Sequence, residues 1–117
     1  MKRDMVLIRD ILLEVEARSD GSNWVDLNID GRSPEEIAYH VKIMSQAGLV
    51  EAIDVSAGDF DWRASSLTWE GHEFLDAARN NTVWRKALQL VKDKGSAVPF
   101  EVLKPLLLQW VRSSLEW

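Results

Sequence analysis

Read in order, the chain gives an amphipathic helix, a short alternating stretch, a second helix, a Gly-Leu-Val step, a two-stranded hairpin and a further helix. That order predicts an α+β domain: a winged helix-turn-helix-like unit with a small antiparallel sheet and wing, followed by additional C-terminal helices. Three observations carry the prediction. Apolar residues recur at three- and four-residue steps near the amino end, the second helix has explicit start and stop signals, and β-forming runs flank a small polar tip.

The first helix is marked by Met5, Ile8, Leu12 and Val15, with Ile11 beside them, while Asp10, Glu14 and Arg18 fall on another face. Ser19-Asp20-Gly21-Ser22-Asn23 is turn chemistry and ends it. From Trp24 to Ile29 the residues alternate, Val25, Leu27 and Ile29 against Trp24, Asp26 and Asn28, which predicts a short half-buried strand joining the wing strands. Ser33-Pro34-Glu35-Glu36 then opens the second helix. Ser33 can cap free amides, Pro34 needs no donor at the first helical position, and Glu36 can complete a capping box. The helix should run to Ala47, where Gly48 supplies the left-handed stop. Ile37, Val41 and Met44 form its inward stripe, and Glu35, Tyr39, Lys42 and Gln46 its outward face.

Leu49 to Val55 and Trp62 to Leu67 predict an antiparallel pair around the tip Ser56-Ala57-Gly58-Asp59. Thr68 reads as the N-cap of a helix carrying Phe74, Leu75 and Ala78. Asn80-Asn81 breaks that helix, and another with Trp84, Leu88 and Val91 runs towards Gly95. A last amphipathic segment from Pro99 carries Phe100, Leu103, Leu107, Trp110 and Val111, with Pro105 expected to kink or divide it. Residues 1–117 are expected to make one domain, with 1–79 as winged-helix core and 80–117 as helical extension.

Composition narrows the chemistry. The 117 residues include no cysteine, which excludes disulfide scaffolds, thiol catalysis and Cys-ligated metals. No run approaches the roughly 18 apolar residues of a membrane span, so no membrane association and a cytoplasmic setting are expected. The net charge of −5 is unevenly spread. Residues 19–78 hold twelve acids against Arg32, Lys42 and Arg63, whereas residues 79–117 hold seven basic side chains against three acidic ones. A nucleic-acid partner would be attracted by the second stretch and repelled by the first.

Several residue stretches resemble a family of short bacterial and phage proteins catalogued as a domain of unknown function. They are the opening Met1-Lys2-Arg3-Asp4-Met5, Glu36-Ile37-Ala38-Tyr39-His40, Ala47-Gly48-Leu49, Leu67 through Leu75, Thr82-Val83-Trp84 and Phe100 through Lys104. The resemblance implies a winged-helix fold and a bacterial or phage setting, and supplies no activity. Pro105 departs from the family pattern. Ala47-Gly48-Leu49-Val50 with Leu67-Thr68 and Gly71 is also similar to the recognition-helix end and wing exit of winged-helix regulators. The short helix that precedes the recognition helix in DNA-binding relatives has only Ile29-Asp30-Gly31-Arg32 to occupy its place.

Four candidate surfaces follow. The recognition-helix face Glu35, Tyr39, His40, Lys42 and Gln46, with Trp62 and Arg63 from the wing, has side chains that read bases or phosphates. Glu35, Glu36, Asp54, Asp59 and Asp61 oppose that use, and a protein-facing or solvated surface is the favoured reading. The basic residues Arg79, Arg85, Lys86, Lys92 and Lys94 could meet phosphates, though a solvated helix face explains them more simply. His72-Glu73 with Asp76 lacks the second histidine of a zinc-protease helix and reads as a helical side-chain pair. Trp69, Trp84 and Trp110 are expected in the core. Leu106, Trp110 and Trp117 either cover a second copy in a homodimer or fold back on their own core. No cofactor and no enzymatic activity are expected. The leading expectation is a small regulatory module working through protein contacts, and the alternative is a DNA-binding transcriptional regulator using the 34–47 helix and the 54–66 wing.

Overall fold

The computed structural model describes residues 1–20, 23–94 and 100–115, with side chains left out at 94, 100, 101 and 112–115. The order is α1 (Met5–Arg18), α2 (Pro34–Gln46), β1 (Val50–Asp54), β2 (Trp62–Leu67), α3 (Trp69–Ala78), α4 (Asn81–Lys94) and α5 (Phe100–Leu115). This is an α+β domain with helices flanking a two-stranded antiparallel sheet, a winged-helix-like arrangement. It divides into two compact units, Met1–His72 and Glu73–Trp117, with the boundary inside α3.

In the first unit, Asp4 caps α1 by accepting from the Val6 and Leu7 amides at 3.0 and 3.3 Å. Met5, Ile8, Ile11, Leu12 and Val15 are all buried, joined by Leu7. At the other end the Ser19 hydroxyl donates to the Ser65 carbonyl at 2.7 Å, tying the helix to β2. Ser33 caps α2 through the Glu36 amide at 3.1 Å. Only half of the expected capping box forms, because the Glu36 carboxylate turns instead to Arg32 at 3.2 Å. The helix ends in a Schellman motif: Gly48 at φ 77 lets its own amide reach the Ser45 carbonyl and the Leu49 amide reach that of Met44.

The hairpin pairs Val50 with Leu67 and Asp54 with Trp62, and a bulge between Glu51 and Ala52 leaves Ser65 as the extra residue on β2. The third strand expected at 24–29 is not formed. The alternation is real, with Val25 buried and Trp24, Asp26 and Asn28 exposed, but among the described residues one backbone bond joins it to the sheet, Val25 N–H to the Ala64 carbonyl at 2.8 Å. Side chains have taken acceptors that a ladder would use: Arg18 donates to the Asp26 carbonyl, and Ser19 to that of Ser65. From Ile29 to Ser33 the chain makes a turn closed by Arg32 N–H to the Ile29 carbonyl, and among the described residues no helix lies between α1 and α2.

Thr68 caps α3 through the Gly71 amide, and its hydroxyl donates to the Gly48 carbonyl. Gly71 packs so closely that a β-carbon there would overlap the Leu49 carbonyl oxygen. Trp69, expected in the core, is 77% exposed. On a 3.6-residue wheel the inward positions are Gly71, Phe74, Leu75 and Ala78, and position 69 falls opposite them.

In the second unit Asn80 does more than interrupt: its side chain accepts from the Thr82 and Val83 amides, capping α4. Phe74 and Trp84 meet edge to face, 6.5 Å between centroids, and are buried with Ala87, Leu103 and Leu107. Pro105 does not divide α5, which runs unbroken from Phe100. It is the helix's sixth residue, so its missing donor costs a single backbone bond close to the start. Trp110 is half-buried, with the Lys86 ammonium 4.5 Å from its ring centre. Gly95, Pro99 and Trp117 lie outside the described residues.

Candidate functional site

The amino end of α2 organises the first unit, and two differently equipped flanks meet there. On one flank Arg32 lies 2.6 Å from the Asp4 carboxylate and 3.2 Å from that of Glu36. His40 is fully buried, its Nε2 accepting from the Asp4 amide at 2.9 Å and its Nδ1 lying 2.8 Å from the Glu36 carbonyl. A neutral ring with its proton on Nδ1 satisfies both bonds. These four residues clasp α1 to α2 across the turn where a DNA-binding helix-turn-helix has its first short helix.

The clasp corrects one expectation. His40 was placed with the outward recognition face, yet none of it reaches solvent. Its spacing gave the warning: positions 37, 40, 41 and 44 follow the three- and four-residue steps of the inward stripe, so polarity misled where periodicity did not. Arg32, read only as part of a turn, and Asp4, read only within the opening stretch, were the members missed. An arginine four residues before Glu36 on a helix-entry turn was the available signal.

Burial pushes the Asp4 carboxyl up. The Arg32 hydrogen bond, the Leu7 and Val6 amides and the nearby guanidinium charge outweigh it, holding the group below its ordinary range.

On the opposite flank lies a groove of about 420 Å³ walled by three segments: 25–28, the first two turns of α2, and the wing tip at 59–63. Among the described residues four carboxylates line it, Asp26, Glu35, Asp59 and Asp61, against one cation, Arg63. Arg63 is already engaged, its Nε 3.3 Å from Asp61. Phe60, 42% exposed, and half-buried Trp62 supply aromatic surface. The Lys42 ammonium stands 5.7 Å from the Phe60 ring centre. Beside this, hydrogen bonds from Ser56 hold the Asp54 carboxyl below its ordinary range, with a smaller contribution from Lys42.

The remaining candidates fall as follows. Glu35 and Gln46 are exposed and Tyr39 and Lys42 half-buried, so the outward face of α2 exists without His40. The structure brings Glu35, Trp62 and Arg63 together in the groove. Arg79, in the turn after α3, and Arg85, on α4, are exposed but committed: Arg79 pairs with Asp76 at 3.4 Å, and Arg85 donates to the Asn81 carbonyl. Lys86 sits over Trp110, Lys92 is exposed, and the Lys94 side chain lies outside the described residues. His72 and Asp76 are both exposed, and the paired partner of Asp76 is Arg79 rather than His72. Leu106 and Trp110 are half-buried. Among the described residues no helix is long and apolar enough to cross a membrane, and no group of three or more His, Asp or Glu could hold a metal ion.

The chain is 41% identical over 107 residues to an uncharacterized protein of Haemophilus influenzae, with 89% of this chain and 90% of that one covered. No solved structure matches it. A family model described as "Hypothetical protein (DUF2513)" matches residues 2–97. That span takes in α1, α2, the hairpin, α3 and α4, and with it both flanks of the α2 amino end, so the chain belongs to the DUF2513 family.

Proposed function

We propose that this protein is a non-catalytic regulatory module that works by binding another protein through the groove beside the amino end of α2. The observation that carries this reading is the electrostatics of that groove. In a DNA-binding winged helix, the helix amino end and the wing approach phosphates. Here that surface presents four carboxylates against a single, already paired arginine. The positive end of the α2 dipole is also met by Glu35 and Glu36 in its own first turn. Polyanion binding there is opposed at both places.

DNA readout has one observation in its favour. The later part of α2, with Tyr39, Lys42 and Gln46 at its surface, carries no acid.

Tryptophan fluorescence separates the two. The protein is titrated with random duplex DNA at low salt, then at rising salt. Flat emission throughout is the expected result. Quenching that weakens steeply with salt would replace this reading by the DNA-binding one. In that case Lys42→Glu should lower the salt slope by about one unit if Lys42 touches a phosphate.

A further inference from the structure

The groove also indicates what kind of segment it receives. We propose that its occupant is an extended, arginine- or lysine-bearing segment of a partner protein. The proposal rests on the protein-binding reading above and gives it a ligand chemistry.

Three features converge on this. The carboxylates come from separate segments, Asp26 from the unpaired stretch, Glu35 from α2, and Asp59 and Asp61 from the wing tip. They therefore surround the groove instead of forming one acidic run. The second feature is aromatic. Phe60 and Trp62 lie among the carboxylates, and a guanidinium can pair with carboxylates while it stacks on a ring, its methylene stem covering apolar surface. Lys42 near the Phe60 ring shows that this ring already has a cation as neighbour. The third feature is shape. One wall is the 25–28 stretch, bonded to β2 at Val25 and alternating in burial as a strand does, so the gap runs alongside a strand-like stretch and suits an extended chain. In such a chain alternate side chains point to opposite walls.

The partner is thus defined by charge complementarity: cationic side chains spaced along an extended backbone, interleaved with apolar ones. A polyanion is excluded by the same carboxylates, and a purely apolar helix would leave them buried without partners.

The test uses the whole chain and a short synthetic peptide alternating arginine with valine, followed by calorimetric titration at low salt. A peptide alternating glutamate with valine is the control. The arginine peptide should bind and the glutamate peptide should not. Asp26→Asn with Asp59→Asn should weaken binding by about tenfold, because two of the four facing charges are removed. Both positions are exposed, so the fold should survive, as a circular dichroism spectrum would show. The charge-matched pair Glu70→Gln with Asp93→Asn, exposed and outside the groove, should bind like the parent. Equal weakening by both pairs would reduce the effect to general attraction and overturn the proposal. So would an absence of heat at about 1 mM peptide, the edge of measurable weak affinity. Failure here together with flat DNA titrations would overturn the cationic segment and leave the groove reading with a protein partner of other chemistry. Salt-sensitive DNA quenching would remove the parent reading itself.

Discussion

Glu35 and Glu36 are consecutive residues in the first turn of α2, and they meet opposite circumstances. Glu36 faces Arg32, which also holds Asp4, while His40 beneath them accepts from the Asp4 amide. Glu35 faces a groove in which three more carboxylates gather around one arginine. The helix dipole favours both acids alike, so it does not explain the difference. What separates them is compensation. Carboxylates answered by a guanidinium, on residues whose backbone a buried imidazole holds, belong to the fold. Carboxylates left facing open space add little stability and keep their charge available to a ligand. The same helix end therefore fastens α1 on one side and offers a cationic docking site on the other.

The largest effect should come from breaking the answered side. His40→Leu preserves an apolar volume but removes the acceptor for the Asp4 amide and the contact with the Glu36 carbonyl. A loss of about 2–3 kcal/mol is expected from the two bonds and the unpaired groups they leave. Urea unfolding measures it. An unchanged midpoint would mean that His40 merely fills space. The groove keeps its charges in this variant, so peptide binding at a temperature where the variant remains folded should match the parent.

A smaller effect, with a pH signature, is expected from Arg32→Met. The folded-state Asp4 carboxyl lies below its ordinary value, so its contribution to stability is complete above about pH 4, the unfolded value. It is lost as the pH falls through the lower, folded value. Removing Arg32 takes away a main source of the depression and leaves the Leu7 and Val6 amides. The variant should be less stable near neutrality, by less than His40→Leu, and should lose less on acidification. Thermal unfolding from pH 6 down to pH 2 gives the comparison. Parallel acid limbs in variant and parent would show that Arg32 does not govern Asp4.

The sequence revealed the scaffold of this comparison better than its chemistry. Helix limits were legible where local bonds set them: the Ser33 hydroxyl on the Glu36 amide and the Gly48 turn both depend on residues a few positions apart. The wing was legible for the same reason, since its strands are joined by a short tip. The 24–29 stretch was only half legible. Its alternation predicted the buried side correctly, but a ladder depends on distant partners, and Arg18 and Ser19 claim backbone acceptors that no local pattern reveals. The candidate surface was legible as composition, in the excess of acids over residues 19–78. Its division into a compensated flank and an open one required Asp4 and Arg32 to meet across 28 positions. His40 and Trp69 went astray through side-chain character, a polar ring assigned outward and an indole assigned inward. The helical wheel contradicts both assignments.

The smallest effect sharpens the open side. Among the described residues Arg63 is the only cation lining the groove, exposed on β2 and paired with Asp61 two residues away. An exposed pair of this kind contributes about 0–1 kcal/mol, so Arg63→Gln should leave the unfolding midpoint nearly unchanged. Its effect should appear in binding. Without the guanidinium, Asp61 is released to a ligand and the repulsion of an incoming cation falls, so the arginine–valine peptide should bind about two- to threefold more tightly at low salt. Raising the salt should shrink that gain along with the affinity itself. A weaker complex would instead make Arg63 an anion or backbone contact, and the charge logic that distinguishes Glu35 from Glu36 would not extend to the wing.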